Sequence, residues 1–366
     1  MENDMRSESI INIIETKTSL DAGISSSLMA WNWILADNYS AVRKSITRGQ
    51  SAWVREVNSL SNSSETTRGE FLRRRIINQK SNINFENWLV GVVDGDGTFH
   101  FSVDKNGKWI LHFKVGQSSY NLRLLYYIKF MIGVGQVSVP ADGNAEYRVR
   151  DVKNIVNYII PIFDKYPLLT SKYFNYDLFR QAAFIINDKN ISLSERHLLL
   201  SELKLKKMPE NYISPAWSKI NYLINNLEEA SSVVSKSWII GFTEAEGSFY
   251  LVTKSLNRIV HGFEITQKLD KIVLDAIGLI LGISVTTKKT YFTVGTTNSK
   301  SISNIISYYT NTMKGMKSLE FRIWARSYNK AKTDLKKFEY LTKVRDQMRQ
   351  IRSIRFDKNF KQVEDK

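Results

Sequence analysis

A twelve-residue segment of this chain occurs twice: Trp88-Leu-Val-Gly-Val-Val-Asp-Gly-Asp-Gly-Thr-Phe99 aligns without a gap on Trp238-Ile-Ile-Gly-Phe-Thr-Glu-Ala-Glu-Gly-Ser-Phe249, pairing Gly91 with Gly241 at a shift of 150 residues. A duplication constrains the fold more tightly than composition does, because each copy must form the same supersecondary unit. The match continues at the same shift, with Phe113-Lys-Val-Gly-Gln117 falling on Phe263-Glu-Ile-Thr-Gln267. Beyond it, both copies carry an apolar helix-like stretch (122–132 and 272–281) and strand-like pieces (147–150 and 291–294). A further helix follows in each (152–163 and 301–313). The expected fold is mixed α+β: two pseudo-symmetric αββαββα repeats.

Small residues four apart, Gly91 and Gly95 in one motif and Gly241 and Ala245 in the other, predict that the two motif helices pack closely on each other. Gly97 and Gly247 fall where helix turns into strand, a place where positive φ is expected. The repeats then divide the chain into a first copy over 83–189, a linker over 190–235 and a second copy over 236–335. Residues 1–82 form an N-terminal extension that repeats nothing, with helix-like spacing only near 29–35 and 53–60. Residues 336–366 read as a basic C-terminal tail that begins as helix. Residues 326–366 hold 13 Lys and Arg against 6 Asp and Glu.

Composition narrows the chemistry. The 366 residues are 43% hydrophobic and 24% charged with 5 prolines, as expected for a folded chain of about two domains. Cysteine is absent, which removes disulfides, thiolate zinc sites and cysteine nucleophiles. The formal charge of +16 points to a polyanionic partner, nucleic acid before membrane. No apolar run approaches the ~18 residues of a spanning helix, so no membrane partner is expected. Glu2, Asp4, Glu8 and Glu15 contradict a basic transit peptide; a protein working in an organelle is therefore expected to be made there. The four histidines show no His-x-x-x-His spacing, and there is no phosphate-binding GxxxxGK[ST] loop. Trp88 and Trp238, in register, are expected in the core rather than as platforms for base stacking.

Asp96 and Glu246 occupy the same place in the two copies, at the base of helices expected to pack together. The repeat therefore brings two carboxylates to a pseudo-two-fold axis. Helix-end acids often do no more than decorate the terminus. Repetition at matched spacing favours a divalent cation such as Mg²⁺ (or Mn²⁺), which prefers carboxylates and water and supports phosphodiester hydrolysis.

Leu89-Val-Gly-Val-Val-Asp-Gly-Asp-Gly97 and Ile239-Ile-Gly-Phe-Thr-Glu-Ala-Glu-Gly247 resemble the two signature motifs of a LAGLIDADG homing endonuclease of the single-chain, two-motif class. With its flanks, the resemblance spans residues 85–330, and it is nearest to mitochondrial group I intron-encoded members. It implies a monomer that makes a site-specific double-strand break in DNA at a long, approximately palindromic target, promoting spread of its host intron. A group I intron RNA maturase, alone or in combination, is the alternative the same family implies.

By this resemblance Asp96 and Glu246 are the metal-binding acids, one assigned to each DNA strand. Gln117 and Gln267 help place water and the scissile phosphate. Lys172 and Lys317 open the helix after the second strand pair and stabilise charge at the phosphates. Asp94 and Glu244 are supporting helix-end acids. The second copy carries Glu for Asp at both motif positions, a change the family tolerates. By the same resemblance each copy's four-stranded antiparallel sheet would form half of a saddle that follows the DNA major groove. In the first copy the groove-facing candidates are His100, Ser102, Lys108, His112 and Lys114, joined by Arg148 and Arg150. In the second they are Tyr250, Lys254, Arg258 and His261, joined by Lys288 and Lys289.

Overall fold

The structure, a computed structural model, describes residues 83–140, 143–331 and 336–355. The first copy runs α1 (Phe85–Asp96), β1 (Gly97–Val103), β2 (Trp109–Ser118), α2 (Leu122–Ile132), β3 (Gln136–Ser138) and β4 (Asn144–Val149). It closes with α3, a helical run over 152–165 with a π-helical turn at Ile155–Ile159, and α4 (Lys172–Asn187). The linker holds α5 (Leu193–Leu205) and α6 (Leu227–Val233). The second copy repeats the order as α7 (Lys236–Glu246), β5 (Gly247–Ser255), β6 (Arg258–Gln267), α8 (Lys271–Leu281), β7 (Val285–Thr287), β8 (Phe292–Thr296), α9 (Ser299–Tyr309) and α10 (Lys317–Ala331). It is followed by α11 (Lys337–Arg355). The two four-stranded sheets have the same antiparallel order, β1-β2-β4-β3 and β5-β6-β8-β7.

Duplication extends into the core. Phe99 pairs with Phe113 across β1 and β2, and Phe249 with Phe263 across β5 and β6. Helices cover the face these rings share. Phe99 meets Phe163 edge-on at 5.1 Å and Tyr176 at 5.2 Å, while Phe249 meets Phe321 and Trp324, each at 5.1 Å. Trp88 and Trp238 are buried, as their register predicts.

The motif helices start alike, because Asn84 accepts from the Asn87 amide (2.9 Å) and Ser235 from the Trp238 amide (3.1 Å). They then touch through backbone. A Cβ on Gly91 would lie 2.1 Å from the Trp238 carbonyl oxygen, and one on Gly241 would lie 1.9 Å from that of Trp88. Each tryptophan carbonyl thus sits where the opposite glycine has no side chain. The expectation of positive φ at the next glycines is corrected: Gly97 (φ −83°) and Gly247 (φ −75°) are extended. Glycine is required there for space, since a Cβ would meet the Val93 side chain at 2.3 Å or that of Thr243 at 2.4 Å.

The expected basic tail is also corrected over its helical part. α11 buries Leu341, Val344, Met348 and Ile351, and Arg352 donates to the Phe249 carbonyl (2.5 Å) and to Glu320 (3.2 Å). An amphipathic helix with its cations on one stripe reads as a charge run until its apolar stripe is seen to be covered. The linker is likewise part of the body, since Ser214 donates to the Leu168 carbonyl (2.5 Å) and Trp217 Nε1 to that of Leu169 (2.8 Å). Residues 1–82 and 356–366, with the helical stretches expected near 29–35 and 53–60, lie outside the described residues. No helix among the described residues is long and apolar enough to cross a membrane.

Candidate active site

Asp96 and Glu246 are the last residues of α1 and α7, and helix contact brings the two ends together. The Cβ position of Gly95 is 3.4 Å from Glu246 Oε1. Gln117 donates to Asp96 at 2.5 Å, while Gln267 makes no matching bond to Glu246 among the described residues. Burial, and then the charge of Glu246, push the Asp96 carboxyl above the usual range, with Lys317, Gln117 and Lys172 opposing. Two carboxylates held against each other at a partly open helix end suit a hard divalent cation. No cluster of three or more acidic or histidine side chains fit to hold a metal occurs among the described residues. The donor set therefore fits an ion that takes its remaining ligands from water or phosphate, as Mg²⁺ does.

Lys172 and Lys317 each open a helix, as expected, but their ammonium groups point at backbone. Lys172 Nζ donates to the carbonyls of Val93 (2.8 Å) and Gly95 (2.7 Å). Lys317 Nζ donates to those of Thr243 (3.0 Å), Ala245 (3.3 Å) and Gly247 (2.6 Å). These carbonyls lie at the C-terminal ends of α1 and α7 and on the first residue of β5, where a cation is favoured; those of Val93 and Thr243 also accept from the Gly97 and Gly247 amides. The lysines thus hold the helix ends that carry the acids.

Asp94 and Glu244 hold the loops on which those lysines stand. Asp94 accepts from the amides of Leu169 (2.9 Å) and Thr170 (3.1 Å), the Thr170 hydroxyl (2.6 Å) and Trp238 Nε1 (2.7 Å). Glu244 accepts from the amides of Lys314 and Gly315. Burial pushes both carboxyls up, and these bonds oppose it. Trp88 Nε1, matched to Trp238, has no hydrogen-bond partner among the described residues, so the repeats are not equivalent here.

Two residues that the sequence reading passes over cross between repeats. Asp270 accepts from the Ser171 amide (2.7 Å) and hydroxyl (3.0 Å), and Asn121 accepts from the Met316 amide (2.8 Å). Each caps the lysine helix of the other copy. They are not equivalent positions, so a search for repeated residues cannot find them. Burial raises the Asp270 carboxyl to about 6. A carboxyl whose folded pKa is raised binds its proton more readily in the folded state, so stability should fall as pH rises from its ordinary value of 3.8 to about 6 and be level in this respect above that. Asp270→Asn should flatten this part of a urea-unfolding pH profile; an unchanged slope would remove Asp270 as its source.

The uncovered sheet faces carry most of the groove-facing candidates. His100, Ser102, His112, Lys114 and Arg148 share one side, with His100 opposite His112 and Lys114 opposite Arg148. Lys108 lies in the β1–β2 turn and Arg150 just beyond β4, both exposed. Lys114 and Arg148 are both paired to Glu146, each at 3.1 Å, an acid the sequence reading omitted. Burial and surrounding cations lower His112 to about 4, so its ring is neutral at pH 7, and its Nε2 has no hydrogen-bond partner among the described residues. Tyr250 and Arg258 lie on the matching side of the second sheet, Lys254 is exposed at the irregularity between Thr253 and Ser255, and Lys288 and Lys289 are exposed beyond β7.

His261 is a correction. It is buried against Trp324 and Tyr328, its Nε2 is 2.8 Å from Ser327 Oγ, and burial lowers it to about 4. Side chains alternate along a strand, so Arg258 and His261, three apart, cannot share a face. Val260 and Glu264 take the place His261 was assigned.

The meganuclease I-SmaMI, in a crystal structure bound to uncleaveable DNA, superposes with a TM-score of 0.60 at 22% identity over 74% of this chain and 97% of that one. Meganuclease I-AabMI bound to uncleaved DNA gives a TM-score of 0.59 at 20% identity, covering 73% and 98%. At these identities the likeness is one of fold. In sequence, the chain is 40% identical over 287 residues to the probable intron-encoded endonuclease Cox1-I1b of Schizosaccharomyces pombe, covering 75% of this chain and 70% of that protein. It is 31% identical over 201 residues to the uncharacterized mitochondrial protein RF1 of Saccharomyces cerevisiae, covering 52% and 37%. The LAGLIDADG endonuclease family pattern matches twice, over residues 89–183 and 239–328, each match beginning inside a motif helix and running through one sheet. The chain belongs to the LAGLIDADG endonuclease family.

Proposed function

We propose that this protein is a homing endonuclease that cuts both strands of a long, approximately palindromic DNA target, using a divalent cation held by Asp96 and Glu246. The observation that carries the reading is the meeting of these two acids at the ends of paired helices, between two sheets whose free faces hold unlike side chains. A bound Mg²⁺ supplies Lewis-acid stabilisation of charge on the scissile phosphate and a more acidic water. I-SmaMI has been crystallised with an uncleaved DNA target in the presence of calcium ions, which accords with a divalent site in the family.

The chain's own groups supply positioning. Gln117 orients the Asp96 carboxylate, Lys172 and Lys317 hold the helix ends in place, and Asp94 and Glu244 anchor the loops beneath those lysines. His100, His112, Tyr250 and Arg258 contact the DNA grooves, and Lys108, Lys254, Lys288 and Lys289 contact phosphates. The relatives' names support an intron-encoded protein working in mitochondria, and two family matches within one chain support a monomer. The splicing reading finds less support, because the S. pombe relative is named for endonuclease activity.

The test is cleavage of a plasmid library of host organellar DNA by the purified protein in Mg²⁺ and in Ca²⁺. We expect cutting at one long site in Mg²⁺, with binding that weakens steeply and linearly in log-log form as salt rises. A folded protein that cuts nothing in Mg²⁺ would overturn the reading.

A further inference from the structure

Asn121 holds a place that no motif marks, and its bonds run in one direction. Its Oδ1 accepts from the Met316 amide at 2.8 Å, its Nδ2 donates to Gln117 Oε1 at 2.9 Å, and Gln117 Nε2 donates to Asp96 at 2.5 Å. The order of these bonds follows from one end. A backbone N–H can only donate, so the Asn121 atom facing Met316 must be the oxygen. The nitrogen of that amide then faces Gln117, which must answer with its own oxygen. Gln117 is left with its nitrogen toward Asp96. The peptide N–H at the start of α10, in the second repeat, thereby sets the polarity of the group that meets an acid of the first.

The chain closes on the other acid as well. Met316 directly precedes Lys317, whose Nζ holds the Thr243, Ala245 and Gly247 carbonyls around Glu246. Asn121 is buried, at 7% exposure, so water does not compete strongly for these bonds. The matched position in the second copy is Lys271, whose ammonium pairs with Asp275. Among the described residues the link is present once.

We propose that Asn121 is a positioning residue for the nuclease reaction: it fixes the amide of Gln117 so that a donor faces Asp96, and it ties that arrangement to the lysine helix serving Glu246. The inference rests on the assignment of Asp96 and Glu246 as the metal-holding acids.

Two substitutions separate its two roles. Asn121→Asp keeps an acceptor for the Met316 amide but loses the donor, so its carboxylate draws Gln117 Nε2 to itself and turns Gln117 Oε1 against Asp96. Asn121→Ala loses the cap and the clamp, and Gln117 stays able to offer its nitrogen to Asp96. Asn121→Ala should lower the melting temperature by about 2–4 °C, the usual effect of a lost helix cap in a domain of this size, and Asn121→Asp by less. Function should follow the opposite order. Asn121→Asp should cost ~10–100-fold in cleavage rate and in Ca²⁺ affinity of the protein–DNA complex by calorimetry, the range found for outer-shell partners, and Asn121→Ala less. A merely structural residue would lose activity in step with stability.

Wild-type cleavage and Ca²⁺ binding by Asn121→Asp would overturn the proposal, as would losses that track the melting temperatures. Failure of the metal assignment is recognised separately, by a wild-type protein that neither cuts in Mg²⁺ nor binds Ca²⁺ with DNA. In that event the thermal double-mutant cycle of ligand-free protein still decides. Gln117→Ala should lower the melting temperature more in the wild-type background than in Asn121→Ala, and equal shifts would refute the clamp.

Discussion

A supercoiled target plasmid should yield no linear product when Asp96 is replaced by Asn or Glu246 by Gln. Each substitution leaves the helix end, its neighbours and the sheets in place and removes one of two carboxylates available to the cation. Loss of several kcal/mol of transition-state stabilisation, at 1.36 kcal/mol per decade, gives a fall of ~10³-fold in double-strand cleavage. DNA affinity should stay close to wild type, because binding resides on the sheet faces. Stability supplies an independent check. Burial and the facing Glu246 disfavour the ionised Asp96, so ligand-free Asp96→Asn should melt at or above the wild-type temperature near pH 7. Residual linearisation at the wild-type rate by either variant would remove that acid from the mechanism, and a large drop in melting temperature would make Asp96 a structural group.

The second large effect concerns the helix pair itself. Gly91→Ala and Gly241→Ala each push a methyl group to within 2.1 Å and 1.9 Å of a backbone carbonyl oxygen on the other motif helix. Flexible side chains can swing away from such a contact; a helical carbonyl cannot. The helices must part along their length, opening a contact in which the backbones of Trp88 and Val92 meet Gly241 and those of Trp238 and Phe242 meet Gly91. A cost of about 4 kcal/mol or more in urea unfolding is expected, beyond ordinary overpacking. Gly116→Ala is the control: nothing lies within 4 Å of its Cβ position, and the change should stay within about 0.5 kcal/mol. Equal midpoints for Gly91→Ala and Gly116→Ala would show that the helices do not pack through that glycine. Parting the helices also separates Asp96 from Glu246, so any folded fraction of Gly241→Ala should cut DNA poorly.

These two experiments probe features that are legible in the sequence because they are duplicated. A residue needed in both halves appears twice at one spacing, and the chance of that is small. The motif acids, the small residues of the helix contact, the downstream glutamines and the paired phenylalanines of the core are all of this kind. Lys172 and Lys317 follow the same logic even though the spacing to each drifts. Their position was readable, but the carbonyls they hold were not, because a lysine opening a helix can reach either outward to phosphate or back to a neighbouring helix end.

Other features depend on pairing. Whether His261 faces DNA or core turns on the register of β6, and a slip of one residue exchanges the two faces. The charge run of α11 conceals an apolar stripe whose cover lies in β5 and α10. Glycine at 97 and 247 answers to a neighbouring side chain rather than to its own φ.

By itself the sequence determined the duplicated architecture, the helix pair at its centre and the two acids at the helix ends, because symmetry writes such features twice. Tertiary structure alone decided how the halves differ. Asn121 and Asp270 cap helices in the opposite repeat from positions with no counterpart, and among the described residues Trp88 lacks the partner that Trp238 has and only one of the two glutamines is clamped. A hydrogen bond between residues 195 apart leaves no periodic trace in the chain. It exists only where folding has already brought a donor and an acceptor together.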